Sequence, residues 1–234
     1  MPIDKEKKYP EIKARIGKAR MEMTRLNARA KSFGISAETS IVFDRTREEI
    51  IRYLTARSCD FMVMGTHSPA HEREPIFESN AQTLIRTSPC PVMVVKSSSR
   101  TRAFKRIVFA SSFDEDVEHP FQKVIEVADL LGAQIHLLFV SIPSHFEASD
   151  LTLAKMQAFL ENCPRGTCSK HIFNAREYPQ GIIRFSKSID ADMIALVTHG
   201  HKGVMHILSP SITESVASLA EIPVLSVNFH ISGA

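Results

Sequence analysis

The chain has 234 residues, 44% of them apolar and 24% charged, with a net charge of +3. That composition suits a globular protein with one large or two small cores and excludes a fibrous or disordered chain, and so small a charge gives no electrostatic reason for a nucleic-acid or membrane surface. No stretch approaches the ~20 apolar residues of a membrane span and Met1 to Arg20 holds no signal-peptide core, so the chain is expected in the cytoplasm with its four cysteines reduced.

In chain order, Pro10 to Phe33 predicts a long helix with Ile12, Ile16, Ala19, Met23, Leu26 and Ala30 on one face, ended by Gly34. Ser36 to Phe43 alternates as a strand does, and Thr46 to Ser58 is a second amphipathic helix. FMVMG, from Phe61 to Gly65, is a short apolar run of the kind buried on both faces of a parallel sheet. After a loop, Ser79 stands where a helix N-cap belongs, Leu84 and Ile85 supply the apolar stripe, and Pro91 opens another strand. Lys96 to Ala103 is polar and reads as a linker. Strands then follow at Lys105 to Ser111, Ala133 to Val140 and Lys170 to Arg176. Helices alternate with them at Val117 to Leu131, Ser149 to Leu160 and Gln180 to Ile189. The chain closes with a strand over MIALV, a helix capped by Ser211 with Val216 and Leu219 on its stripe, and a strand after Pro223.

The stretch from Asp60 to Val95 is repeated without a gap from Asp192 to Val227. Asp60 matches Asp192, Thr66 matches Thr198, His67 matches His199, Ser79 matches Ser211 and Pro91 matches Pro223 at one constant offset, which argues for duplication of a domain-sized unit. Carried back by the same offset, Phe104 to Leu131 falls before Met1 and Ala133 to Val140 falls on MPIDKEKK, which does not resemble a strand. The first repeat is therefore expected to lack its first strand, first helix and second strand. Two explanations stand open: the recorded start is internal to a longer protein, or the short half is completed by a partner or a rearranged strand. The expected division is an incomplete first repeat over 1–97, a linker over 98–103 and a complete second repeat over 104–230.

These residues resemble the universal stress protein family. The likeness rests on Thr198-His199-Gly200, a nine-residue spacing to a dipeptide ending in Ser211, Pro223-Val224-Leu225, the first-strand run from Lys105 to Ser112 and the second-strand run from Gly132 to Val140. It implies an α/β fold, an open parallel, Rossmann-like sheet in two tandem repeats, each with strand order 3-2-1-4-5. It also implies an internal pseudo-dimer through the fifth strands, Val92 to Lys96 and Val224 to Phe229, because that strand is a sheet edge and needs covering.

In nucleotide-binding members of the family the loop reads Gly-x2-Gly-x9-Gly followed by Ser or Thr, so that backbone N–H groups approach phosphates closely. Here the second repeat has Val197 and Pro210 at two of the glycine positions and keeps Gly200 and Ser211. The first repeat keeps Gly65 and Ser79 but has Ser68 and Glu78 at the others. Proline removes an N–H donor, and a glutamate would repel phosphate. The adenine-contacting acid of the family corresponds to Ser112. The resemblance thus implies a degraded site with no cofactor, while Ser112, Val140, Gly200, His201 and Ser211 remain the candidate residues of the alternative, an ATP or AMP sensor in the second repeat.

His199 and His201 with Lys202 could ligate a metal or bind phosphates in nucleotidyl transfer, but no acid cluster lies nearby in sequence. Cys163, Cys168 and His171 have spacing C-x4-C-x2-H, which is not a four-ligand zinc pattern; a disulfide formed under oxidation would make a redox sensor, and Arg176 reads as a solvated charge. Cys59 and Cys90 precede strands and are expected to be buried. No nucleophile with an adjacent base, paired carboxylate or Walker-type loop occurs. The sequence therefore points to a non-enzymatic protein without metal, acting through protein partners it does not identify, with a homo-oligomer left open.

Overall fold

The computed structural model describes residues 10–41, 47–66, 75–96, 103–113, 117–161, 168–198 and 210–229. The chain falls into two compact units, Met1–Thr46 and Arg47–Ala234.

The first unit contributes helix α1, Pro10–Ser32. Of its expected stripe, Ile16 is buried, Ile12, Ala19, Met23 and Ala30 are half-buried, and Leu26 is exposed. The helix closes in a turn in which the Ile35 N–H donates to the Ala30 carbonyl at 2.9 Å. Residues 35–41 form no strand, against the expected strand from Ser36; positions 42 and 43 lie outside the described residues. In the 3-2-1-4-5 order that strand would pair only with the second, and no such strand stands beside residues 35–41 among the described residues, so the segment has no ladder to join.

The second unit holds a seven-stranded sheet flanked by helices. In chain order come α2 (Arg47–Ala56), β1 (Met62–Thr66), α3 (Pro75–Thr87), β2 (Val92–Lys96), β3 (Arg106–Ala110), α4 (Glu118–Leu131) and β4 (Gln134–Ser141). They are followed by α5 (Ser149–Glu161), β5 (Ser169–Asn174), α6 (Tyr178–Ser188), β6 (Met193–Thr198), α7 (Pro210–Leu219) and β7 (Val224–Asn228). The sheet order is β1-β2-β7-β6-β3-β4-β5. Within the second repeat this is the expected 3-2-1-4-5 arrangement, parallel throughout.

The two repeats meet where expected: β2 runs antiparallel to β7, with Val92 opposite Ser226 and Val94 opposite Val224. Around this seam, Arg86 of α3 holds Glu214 of α7 through two hydrogen bonds, Nε to Oε1 and, at 2.8 Å, Nη2 to Oε2. Asn228 Nδ2 donates to the Arg86 carbonyl at 2.8 Å, and Lys96 Nζ donates to the Ser218 carbonyl. One sheet thus spans both halves.

Alternation along the strands divides the core. On one face Ile107, Phe109, Ile135, Leu137 and Met193 pack with Phe121 and Val124 of α4 and Met156 and Phe159 of α5. On the other, Val108, Leu138, Val140, Ile194 and Leu196 pack with Ile85, Ile182, Phe185 and Val216 of α3, α6 and α7. Every residue of β6 is buried, as its apolar run implies. β1 departs from the same expectation: it is the outer strand, and Val63 is 59% exposed. The strand that would flank it on the analogy of β3 has no counterpart among the described residues.

Asp192, the first landmark of the second copy, stitches β6 to β3. Its carboxylate accepts from the backbone N–H of Lys105 at 2.8 Å and of Arg106 at 2.9 Å, and its own N–H donates to the Arg106 carbonyl. Its counterpart Asp60 is exposed. At the far end of α4, Gly132 adopts φ +62° as its N–H closes on the carbonyls of Ala128 and Asp129, a left-handed cap that suits a residue without a Cβ.

Candidate functional site

The carboxyl ends of parallel strands are where open α/β sheets receive ligands. Here β3 ends at Ala110, and Ser111 and Ser112 carry the chain over the neighbouring end of β4. A shallow depression, open to solvent, lies at this point. Ala110, Ser111 and Ser112 form one side, Leu138, Phe139 and Val140 the floor, and Tyr178 and Ile182 of α6 the other side. Among the described residues no charged side chain lines it. Two candidates from the sequence, Ser112 and Val140, are thereby brought together.

The turn beyond Ser112 is held from the core. Phe113 has φ +60°, a left-handed conformation that a bulky residue adopts only when its surroundings enforce it. Its N–H donates to Ser111 Oγ at 3.2 Å, while its ring meets Phe159 edge-on with centroids 5.3 Å apart and Phe109 at 6.3 Å. Across the pocket, α6 lies unusually close to β4. A Cβ added at Gly181 would sit 2.6 Å from Val140 Cγ1 and 2.8 Å from Ala175 Cβ, so only glycine allows this approach. Sequence reasoning missed both Phe113 and Gly181. A glycine inside a helix-like segment was the available signal for the second.

The loop positions fare differently. Val197 is a core residue of β6, 1% exposed and packed in the cluster around Phe109. Pro210 is the first residue of α7, where its lost N–H costs the helix nothing but deprives the helix N-terminus of one donor. Ser211 is therefore the second helical residue and not the N-cap expected for it, and Ser79 likewise lies inside α3, which begins at Pro75. Gly200, His201, His67 and His199 lie outside the described residues. At the end of β6, Thr198 Oγ1 is fully buried without a hydrogen-bond partner among the described residues, as is Thr213 Oγ1 in α7. The apolar face of α7 runs through Val216 and Ala217 and on to Ala220 just past its end, whereas Leu219, expected on the stripe, is 58% exposed because it closes the helix on its solvent side.

Among the described residues no group of three His, Cys, Asp or Glu gathers to hold a metal, and no helix is long and apolar enough to cross a membrane. Cys59 and Cys90 are free thiols; Cys90 is buried, as expected, while Cys59 is only half-buried because it sits at the outer strand. Burial pushes the Cys90 thiol up from its ordinary value. Arg176 is exposed, in keeping with a solvated charge.

Residues 2–96 and again 103–228 match the model of the universal stress protein family. No curated protein matches the chain. Among solved structures, the universal stress protein from Archaeoglobus fulgidus DSM 4304 superposes with a TM-score of 0.67 at 20% identity, over 93% of this chain and 78% of that one. A protein of Pseudomonas aeruginosa UCBPP-PA14 described as a universal stress protein does so with a TM-score of 0.59 at 20% identity, over 89% of this chain and 78% of that one. At such identity the likeness is one of fold.

Proposed function

The chain belongs to the universal stress protein family, and from that premise we propose that it serves stress adaptation in the cytoplasm through protein interaction, without catalysis, the family's nucleotide site being degraded in both repeats. The observation that carries this reading is the pair Val197 and Pro210. One is a buried strand residue where a phosphate-approaching glycine would stand, and the other opens α7 without an N–H to offer. Ser112, in place of an adenine-contacting acid, and a shallow pocket with no charged side chain among the described residues that line it support this reading. In the first repeat, no strand equivalent to β3 stands beside β1 among the described residues. The division into 1–97, 98–103 and 104–230 and a pseudo-dimer of repeats, with homo-oligomers left open, belong to the same reading.

A second reading is favoured by one observation, the shared pocket of Ser112 and Val140. In it, an ATP or AMP sensor in the second repeat uses these residues with Gly200, His201 and Ser211. Thermal unfolding with ATP and Mg²⁺ separates the two. Ligand at a hundredfold excess over its dissociation constant would stabilise the chain by about 2.7 kcal/mol, roughly 5–10 °C for a chain of this size. The interaction reading expects a shift below about 1 °C at millimolar nucleotide, and a rise of several degrees overturns it.

A further inference from the structure

β4 and β5 run in parallel register with His136 opposite Ser169 and Leu138 opposite His171, so both histidines point to the face covered by α6. Nδ1 of His136 lies 3.2 Å from Nε2 of His171, and the ring centroids are 5.3 Å apart. The His171 ring also rests 4.9 Å from that of Phe185 on α6. We propose that this pair is a proton switch: it holds β5 and α6 in place when neutral and releases them when it takes up a proton.

The argument turns on where hydrogens can go. Two neutral imidazoles make one hydrogen bond from one N–H and one lone pair. His136 Nε2 is buried with no hydrogen-bond partner among the described residues. An orphaned acceptor there is tolerable and an orphaned donor is not, so His136 carries its hydrogen on Nδ1 and donates to His171. One added proton must then place an N–H on that enclosed Nε2, or set two N–H groups against each other between the rings. Either form costs the contact.

The surrounding charges do not welcome a cation. From β3, Arg106 bears on His136, its guanidinium donating to the Ile189 carbonyl. From α6, Arg184 lies over the Phe173 ring at 5.7 Å, and Lys187 stands in the last turn. Asp190 and Asp192 follow that helix, and the Asp192 carboxylate accepts the N–H groups of Lys105 and Arg106. On β5 itself, Lys170 turns to the opposite face and donates to Gln157. Cys168 packs into the opposite core, so it cannot complete a metal site with the pair. Burial holds both imidazoles below their ordinary value, and for His136 the neighbouring His171 and Arg106 add to the effect.

Because the folded pair binds protons more weakly than the unfolded chain, its stabilising contribution is complete above the ordinary histidine value of about 6.5 and is lost as pH falls below it. β5 is the outer strand at the edge opposite β1, paired among the described strands with β4 alone. It leads into α6, which carries Tyr178 and Ile182 of the pocket wall. Acidification thus loosens the edge of the sheet and opens the pocket from one side.

The test uses the full chain. Imidazole resonances are followed by NMR from pH 8 to 4.5, and hydrogen exchange, corrected for intrinsic rates, is compared between residues 169–188 and the interior strands β6 and β7. The expected result is that both rings remain neutral at pH 6.5, with exchange in 169–188 rising tenfold or more between pH 7.5 and 5.5 relative to β6. The rise should disappear in His136→Phe/His171→Phe. A ring that titrates at or above pH 6.5 in the native chain overturns the proposal whether or not the variant folds. So does an acid-induced rise that persists in the variant, or zinc at pH 7.5 that shifts both rings and protects 169–188.

Discussion

Replacing Gly181 by alanine sets two effects of known size against each other. In a helix interior alanine is favoured over glycine by about 1 kcal/mol, so propensity alone predicts a stabler protein. The added Cβ, however, would meet Val140 Cγ1 at 2.6 Å, Ala175 Cβ at 2.8 Å and Val140 Cγ2 at 3.4 Å. Carbon atoms prefer separations of about 3.5–4.0 Å, so the two shorter contacts must each open by most of an ångström. Neither neighbour yields easily: Val140 is β-branched and 5% exposed, and Ala175 has no rotamer to change. Overpacking of this kind costs about 1–3 kcal/mol, and the upper part of that range applies because both partners are stiff. The net expectation for Gly181→Ala is a destabilisation of about 1–2 kcal/mol, read as a lower midpoint in urea at unchanged slope. Pairing it with Val140→Ala should give a double variant less destabilised than the sum of the singles, by about 0.5–3 kcal/mol. A stabilised Gly181→Ala, or strict additivity with Val140→Ala, would refute the close approach of α6 to β4.

Asp192→Ala strands two backbone N–H groups at the start of β3 and should cost about 2–4 kcal/mol in urea unfolding, while Asp60→Ala at the matching position should stay within about 0.5 kcal/mol. Arg86→Met leaves Glu214, whose side chain is 10% exposed, without its partner; discounted for the partly exposed Arg86, the expected loss is about 1–3 kcal/mol, and Arg86→Met/Glu214→Leu should recover most of it. Cys90 should resist alkylation in the native chain at pH 7.5 and react only on unfolding, whereas the half-buried Cys59 should react first, as mass spectrometry of the labelled peptides would report.

The duplication made the architecture legible. The constant offset between Asp60 and Asp192 landmarks located four of the seven strands as matched pairs, and covering the fifth-strand edge led directly to the β2–β7 seam. What misled was local pattern without a partner: Ser36 to Phe43 alternates, yet a strand needs a neighbour to bond, and the apolar run of β1 lies at an edge. Helix starts slipped for a related reason. Ser79 and Ser211 are good capping residues in isolation, but Pro75 and Pro210 begin their helices. Of the site, Ser112 and Val140 were legible through family resemblance. Gly181 and Phe113 were not, because their roles depend on the distance of α6 from β4 and on a left-handed turn anchored by aromatic rings. The His136–His171 contact was equally hidden, since it joins two strands through a register that spacing alone does not give.

The central claim, that the nucleotide site is degraded, is tested most directly by calorimetric titration of the full chain with ATP and Mg²⁺ at neutral pH, its folding confirmed by circular dichroism. The account predicts no heat beyond dilution, because the Val197 side chain stands where glycine would let the backbone approach a phosphate and Pro210 has no N–H to donate. Micromolar binding that Ser112→Asp alters would contradict it and make the second repeat a nucleotide sensor.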